Sequence, residues 1–105
     1  MAHPIIWLPE AAEDLQQIFD FVGQTSPAYS GSVIGRILDA VENLQQFPRM
    51  GHGVTEIRIK GVALRELAVP PYRVVYRLRE DRVIILAVIH GARLLRKAMR
   101  GRRLG

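Results

Sequence analysis

Apolar positions follow two regimes along the chain, helical spacing in the first half and alternation in the second. His3 to Leu8 (HPIIWL) is short, apolar and rich in β-formers. It predicts a first strand, with Pro4 near its start or on an edge. From Pro9 the spacing changes, and Ala12, Leu15, Ile18, Phe19 and Val22 recur on one helical face. Pro9 suits a first helical position, and Glu10, Glu13 and Asp14 oppose the positive end of the helix dipole. Gly23 is expected to stop this helix, and Ser26-Pro27 to start a second with serine as its cap. Val33, Ile34, Ile37, Leu38, Val41 and Leu44 form the second stripe, which Phe47-Pro48 ends. Gly31 and Gly35 inside it each cost about 1 kcal/mol relative to alanine, and offer another helix a close approach. Two amphipathic helices on a short linker make an αα-hairpin.

After a loop over Arg49 to Gly53, the pattern is β. Thr55 to Lys60 reads as a short strand broken by Gly61, followed by strands at Val62 to Val69, Tyr72 to Arg79 and Arg82 to His90. Pro70-Pro71 and Glu80-Asp81 leave room only for tight turns, so these neighbours are antiparallel. Arg82 to His90 is almost continuously apolar, as expected of a central strand buried on both faces. The tail beyond Arg93 is either a helix to Arg100 or mobile. The expected fold is α+β: an N-terminal strand, an αα-hairpin, then a three- to four-stranded antiparallel sheet packed against the helices. One domain spans 1–105, with a basic tail at about 94–105. Trp7, Tyr72 and Tyr76 are expected in the core.

Charge divides the chain as sharply as hydropathy does. Met1 to Pro48 carries six acids and one base, whereas Arg49 to Gly105 carries fourteen bases and four acids. A one-sided basic field attracts polyanions or an acidic protein partner. There is no cysteine, which excludes disulfides and thiolate chemistry and suits a reducing cytoplasm. No signal peptide or membrane-spanning stretch is read, so no membrane role is expected.

Several chemistries are absent. No His-x-x-x-His or carboxylate cluster beside a histidine points to a metal, no glycine-rich phosphate loop points to a nucleotide, and no Gly-x-Ser-x-Gly turn carries a nucleophile. No cofactor is expected. What remains is arginine, histidine and tyrosine in the β half. In YRVVYRLR the residues Arg73, Val75, Arg77 and Arg79 share a face, giving a strip of guanidinium forks matched to phosphate. Arg65 on the preceding strand, His90 at the end of the next and Arg93 in the following turn are expected to converge with Arg73 at one sheet edge. Arg65, Arg77, Arg96, Lys97 and Arg100 are candidate contacts to a target or nucleic acid.

Four segments resemble a known family. Trp7 to Val22 (WLPEAAEDLQQIFDFV), Leu44 to Gly51 (LQQFPRMG), Arg65 to Arg77 (RELAVPPYRVVYR) and Ile85 to Arg93 (ILAVIHGAR) look, in that order, like RelE/ParE-type toxins. The resemblance implies a type II toxin–antitoxin system, in which a small antitoxin neutralises the toxin in a hetero-oligomer. ParE-like members poison DNA gyrase, and RelE-like members cleave mRNA in the ribosome. The forms LAVPPYRVVYR and VIHGAR look closer to the ParE side. On the nuclease alternative, which needs no metal, Arg73 and Arg93 match arginines at the scissile phosphate and His90 is a candidate acid or base. Two departures weaken it. RelE-like enzymes often carry lysines where this chain has Leu64-Arg65-Glu66-Leu67, and a late catalytic tyrosine where it has none after Tyr76.

Overall fold

A computed structural model describes residues 2–105; Met1, the first residue of the expected single-domain span, lies outside them. β1 (Ile5–Trp7) leads into α1 (Pro9–Thr25) and α2 (Pro27–Glu42), which a 3-10 turn over Asn43–Gln45 prolongs. β2 (His52–Gly53), β3 (Leu64–Val69), β4 (Tyr72–Arg79), β5 (Arg82–His90) and a short α3 (Leu95–Met99) follow. The strands form one sheet in the order β1-β5-β4-β3-β2. β2 to β5 pair antiparallel, whereas β1 lies parallel to β5 with Ile5 opposite Val83. The α+β architecture is the expected one: a first strand, a helix hairpin and four antiparallel strands.

The fourth antiparallel strand is not where the sequence placed it. Thr55 to Lys60 makes no strand; its one ladder contact is an isolated bridge from Ile59 to Val62. Between those two, Gly61 has φ of 77°, which turns the chain back on itself. The edge of the sheet is instead His52 and Gly53, paired with Glu66 and Arg65.

The helices differ from expectation in two ways. α1 runs through Gly23, because one glycine costs less than the packing of the turn around it gains. Its end comes at Ser26, whose Oγ accepts the Tyr29 N–H at 3.2 Å, and at Pro27, which has no N–H to donate. Gly23 packs against α2. A Cβ there would lie 3.5 Å from Ser30 Oγ, which donates to the Phe19 carbonyl at 3.1 Å. Gly31 and Gly35 face open space instead. The stripe of α1 is also turned by one position, so Ala11 and Asp14 are buried while Ala12 and Phe19 are exposed.

The sheet is buried on both faces. Against the hairpin lie Val74, Tyr76, Val83, Ile85 and Val88, with Ala11, Val33, Ile37, Val41 and Leu44 from the helices, and Trp7 packed at the margin. On the other face Val75, Ile84, Leu86, Ala87 and Ile89 meet Leu95, Ala98 and Met99, with Val54, Ile57, Ile59, Val62 and Leu104 around them. Val83 to Ile89 are all buried, as the unbroken apolar run of β5 predicts. The register steps from Val75 opposite Ala87 to Tyr76 opposite Ile85, leaving Leu86 as a bulge. That extra residue lets Leu86 and Ala87 both enter the second core.

Candidate functional site

Alternation along β4 and its neighbours sends the candidate residues to different faces. Arg73 lies one position from Tyr72, whose partner is His90, so Arg73 leaves the sheet on the opposite side from that pair. Arg65 stands opposite Tyr76 and therefore on the hairpin side. The expected convergence of Arg65, Arg73, His90 and Arg93 thus resolves into three places.

Arg73 faces the second core and is held by two carboxylates. Glu66 reaches it from β3, and both oxygens of Glu56 reach it from the segment before Gly61, one at 3.2 Å from Nη1. Its side chain is only 12% exposed. The Glu56 hydrogen bonds, with those of Glu66, raise its pKa against the opposing effect of burial. Arg77 and Arg79 on the same face hold the closing residues of the sequence. Their Nη1 atoms donate to the Leu104 carbonyl at 3.3 Å and to the Gly105 oxygen at 2.6 Å. This face is therefore not the open phosphate strip that alternation suggested; the apolar residues of 54–62 and α3 cover it.

Arg65 belongs to a knot below the hairpin. Its Nη1 donates to the Gly51 carbonyl at 3.4 Å. The Tyr76 hydroxyl donates to the Pro48 carbonyl at 2.8 Å and accepts the Gly51 N–H at 2.9 Å. Burial pushes the Tyr76 pKa up, so the hydroxyl keeps its proton for Pro48. A Cβ on Gly51 would sit 2.6 Å from the Glu66 carbonyl oxygen and 2.7 Å from the Tyr76 hydroxyl, so only glycine fits.

His90 and Arg93 do come together. They line a cleft of about 360 Å³ with Tyr72 and with Gln17, Ile18 and Phe21 of α1. The His90 ring meets Tyr72 edge-on, with centroids 5.8 Å apart. Its Nδ1 accepts the Ala92 N–H at 3.1 Å, so the neutral ring carries its proton on Nε2.

The basic tail also divides. Arg96, Lys97 and Arg100 are exposed on and beside α3. Arg102 and Arg103 are not a free electrostatic surface. Arg102 forms a two-pronged pair with Asp14, both contacts at 2.7 Å, and donates to the Leu86 carbonyl at 3.2 Å. Asp14 in turn accepts the Val88 N–H at 2.9 Å. β1 ends its pairing beside Ile85, so beyond that point the pair takes over part of a strand's role along β5. Arg103 reaches Glu10 with both Nε and Nη2 at 3.1 Å.

The fold has known counterparts. A family model described as the ParE toxin of the type II toxin–antitoxin system parDE matches residues 5–95. The chain belongs to the ParE toxin family. Toxin RelE2 of Caulobacter vibrioides is 34% identical over 91 residues, covering 86% of this chain and 97% of that one. Toxin ParE3 of the same species is 30% identical over 79 residues, 74% and 76% of the two. A chain of the chromosomal ParDE system from P. aeruginosa superposes with a TM-score of 0.68 at 26% identity, covering 85% of this chain and 96% of that one. The RelBE2 toxin–antitoxin complex from Mycobacterium tuberculosis shares the fold, with a TM-score of 0.55 at 22% identity over 86% and 99% of the chains. This protein is a type II toxin of the RelE/ParE superfamily.

Asp14, Glu56 and Glu66 pair with the partly buried Arg102 and Arg73 of this ParE-family toxin, partnerships that no local sequence pattern announces. Asp14 had a signal, since it sits three positions after Ala11 and four before Ile18, on the buried stripe. The Arg103 pair has a pH signature. The Arg103 hydrogen bonds, chief among the causes, lower the Glu10 pKa from 4.5 to about 2. A depressed carboxylate adds stability that is fully present above the unfolded value and is lost as pH falls toward the folded one. The Glu10–Arg103 contact is therefore expected intact at pH 5 and lost as pH approaches about 2. Carboxyl-carbon NMR titration checks this, and a Glu10 midpoint near 4.5 contradicts it.

Proposed function

We propose that this toxin inhibits growth by poisoning DNA gyrase, and that a cognate antitoxin neutralises it in a cytoplasmic toxin–antitoxin hetero-oligomer. The state of Arg73 carries the reading. A metal-independent ribonuclease needs a base, an acid and a free cation over the developing phosphate charge. Here the arginine matched to that role is neutralised by Glu56 and Glu66, and the other candidates, His90 and Arg93, lie off the opposite face. No tyrosine follows Tyr76 to complete such a site. A poison that traps an enzyme–DNA complex needs a contact surface and no catalytic group. The exposed Arg96, Lys97 and Arg100 supply one. The antitoxin is supported by the relatives, which come from ParDE and RelBE toxin–antitoxin systems. Phe19, Tyr29 and Leu38 are exposed on the hairpin and suit an amphipathic antitoxin segment.

Purified toxin is expected to raise gyrase cleavage complexes and lower supercoiling, and His90→Ala to leave both unchanged. The same toxin is expected not to cut mRNA on ribosomes. Cleavage of ribosome-bound mRNA that is abolished by Arg73→Ala or His90→Ala, with gyrase untouched, overturns the reading in favour of the RelE-like alternative.

A further inference from the structure

On the second face of the sheet, Arg73 is satisfied by Glu56 and Glu66. Arg58, Arg96 and Arg100 form no ion pair among the described residues, and all three are exposed. They line one cleft of about 690 Å³, with Arg58 on the segment before Gly61, Arg96 in α3 and Arg100 at its end. Ile57, Ile59 and Met99 give the cleft an apolar lining. Its single acid, Glu56, has both oxygens on Arg73 and leaves the three cations unpaired. The lining includes no aromatic ring.

We propose that this cleft binds an acidic segment of the protein target, which sets its carboxylates on Arg58, Arg96 and Arg100 and an apolar side chain against Ile57, Ile59 and Met99. The inference rests on the gyrase reading only for which protein carries the segment. Charge complementarity selects an acidic occupant, and the apolar lining selects a protein one. Guanidinium forks match carboxylates two prongs at a time. A single exposed ion pair adds little, whereas several cations around one segment act as a network. Such charges set encounter rate and specificity more than affinity. Affinity then comes from burial, and half-buried isoleucines beside an adaptable methionine suit a leucine or phenylalanine anchor. A nucleic acid is the weaker fit. Single strands stack their bases on aromatic rings, and this lining has none. A duplex binds through rows of phosphate contacts and leaves the apolar lining without a partner. Arg73 takes no part, since its two carboxylates stay in place.

Fluorescence anisotropy is measured on a short labelled peptide of glutamates with leucines at helical spacing. The same peptide with serine for leucine, and a labelled DNA duplex of equal net charge, are the comparisons. Wild type is set beside Arg96→Ala/Arg100→Ala, Arg96→Lys/Arg100→Lys, and Arg36→Ala on α2 across the sheet. All of these change exposed side chains, and circular dichroism checks the fold. The double alanine variant is expected to weaken binding of the leucine peptide about tenfold. The double lysine variant should weaken it about threefold, because an ammonium keeps the charge but not the fork. Arg36→Ala should cost less than about twofold, as expected of screened, distant charge. Serine for leucine should weaken binding about tenfold or more, the scale of burying one such side chain. The duplex should bind more weakly than the leucine peptide. Equal binding of the serine peptide, or an equal loss in Arg36→Ala, reduces the cleft to diffuse basic charge and overturns the inference. A duplex that binds more tightly, and loses as much in the double alanine variant, makes the occupant a nucleic acid and overturns it too. Gyrase cleavage complexes read in parallel separate the two readings. Poisoning unchanged in Arg96→Ala/Arg100→Ala leaves the gyrase reading standing and sinks this one. Peptide binding at the cleft without any effect of wild type on gyrase sinks the gyrase reading and leaves the cleft its acidic protein segment.

Discussion

Asp14→Ala is expected to destabilise this toxin by about 3 kcal/mol, at the low end of what breaking a buried ion pair costs. Asp14 and Arg102 are 10% and 14% exposed at the side chain, so water reaches the rim of the pair and moderates the effect. Two losses combine. The Arg102 guanidinium loses both carboxylate contacts, and the Val88 N–H loses its acceptor. An orphaned buried N–H alone costs about 1–3 kcal/mol. In a domain of this size, about 3 kcal/mol lowers Tm by at least roughly 12 °C. Arg102→Ala should cost less, because the Val88 bond survives. The double variant should be no worse than Asp14→Ala, since the residues act as a unit. Urea unfolding of the three proteins checks this; an Asp14→Ala protein within about 0.5 kcal/mol of wild type, the range of ordinary surface changes, refutes it.

The largest single loss is expected at Tyr76. Its ring is fully buried in the hairpin-side core, and its hydroxyl ties Pro48 and Gly51 to the sheet. Tyr76→Ala removes a whole aromatic side chain, which costs about 3–5 kcal/mol in a packed core, before the two hydrogen bonds are counted. Tyr76→Phe isolates the hydroxyl. It keeps the ring but leaves the buried Gly51 N–H unpaired, at about 1–3 kcal/mol. The loop from Pro48 to Gly51 should then exchange its amide protons faster while α1 and β5 keep their protection. Phenylalanine at wild-type stability contradicts the knot.

Much of this architecture was legible because period and burial agree. The unbroken apolar run of β5 foretold a strand packed on both faces, and the two helical stripes foretold the hairpin. The second face of the sheet was harder to read. Ile57, Ile59, Leu95, Met99 and Leu104 are dispersed over short irregular stretches, so no periodicity announces that they cover Val75 and Ile84. Once they do, Arg73 and Arg77 cannot form an open strip. The partners of the arginines were illegible for a related reason. Glu56 lies seventeen residues from Arg73, and Asp14 lies 88 from Arg102, distances at which sequence offers charge but not contact. Only the helix phase of Asp14 pointed inward. Arg65 and Arg73 looked like neighbours on adjacent strands, but register sets them on opposite faces.

The partnership of Asp14 and Glu10 with Arg102 and Arg103 also sets an order of events during synthesis. The acids are made 88 and 93 residues before their arginines. β1 likewise waits for β5, the last strand, which separates it from the rest of the sheet. Contacts this distant in sequence require their loop-closure entropy to be met before they stabilise anything, and they slow folding. A growing chain therefore exposes the apolar stripe of α1 and the unpaired edge of β1 until β5 has been translated. The toxin's finished basic surface comes into being late, when Arg102 and Arg103 dock onto Asp14 and Glu10.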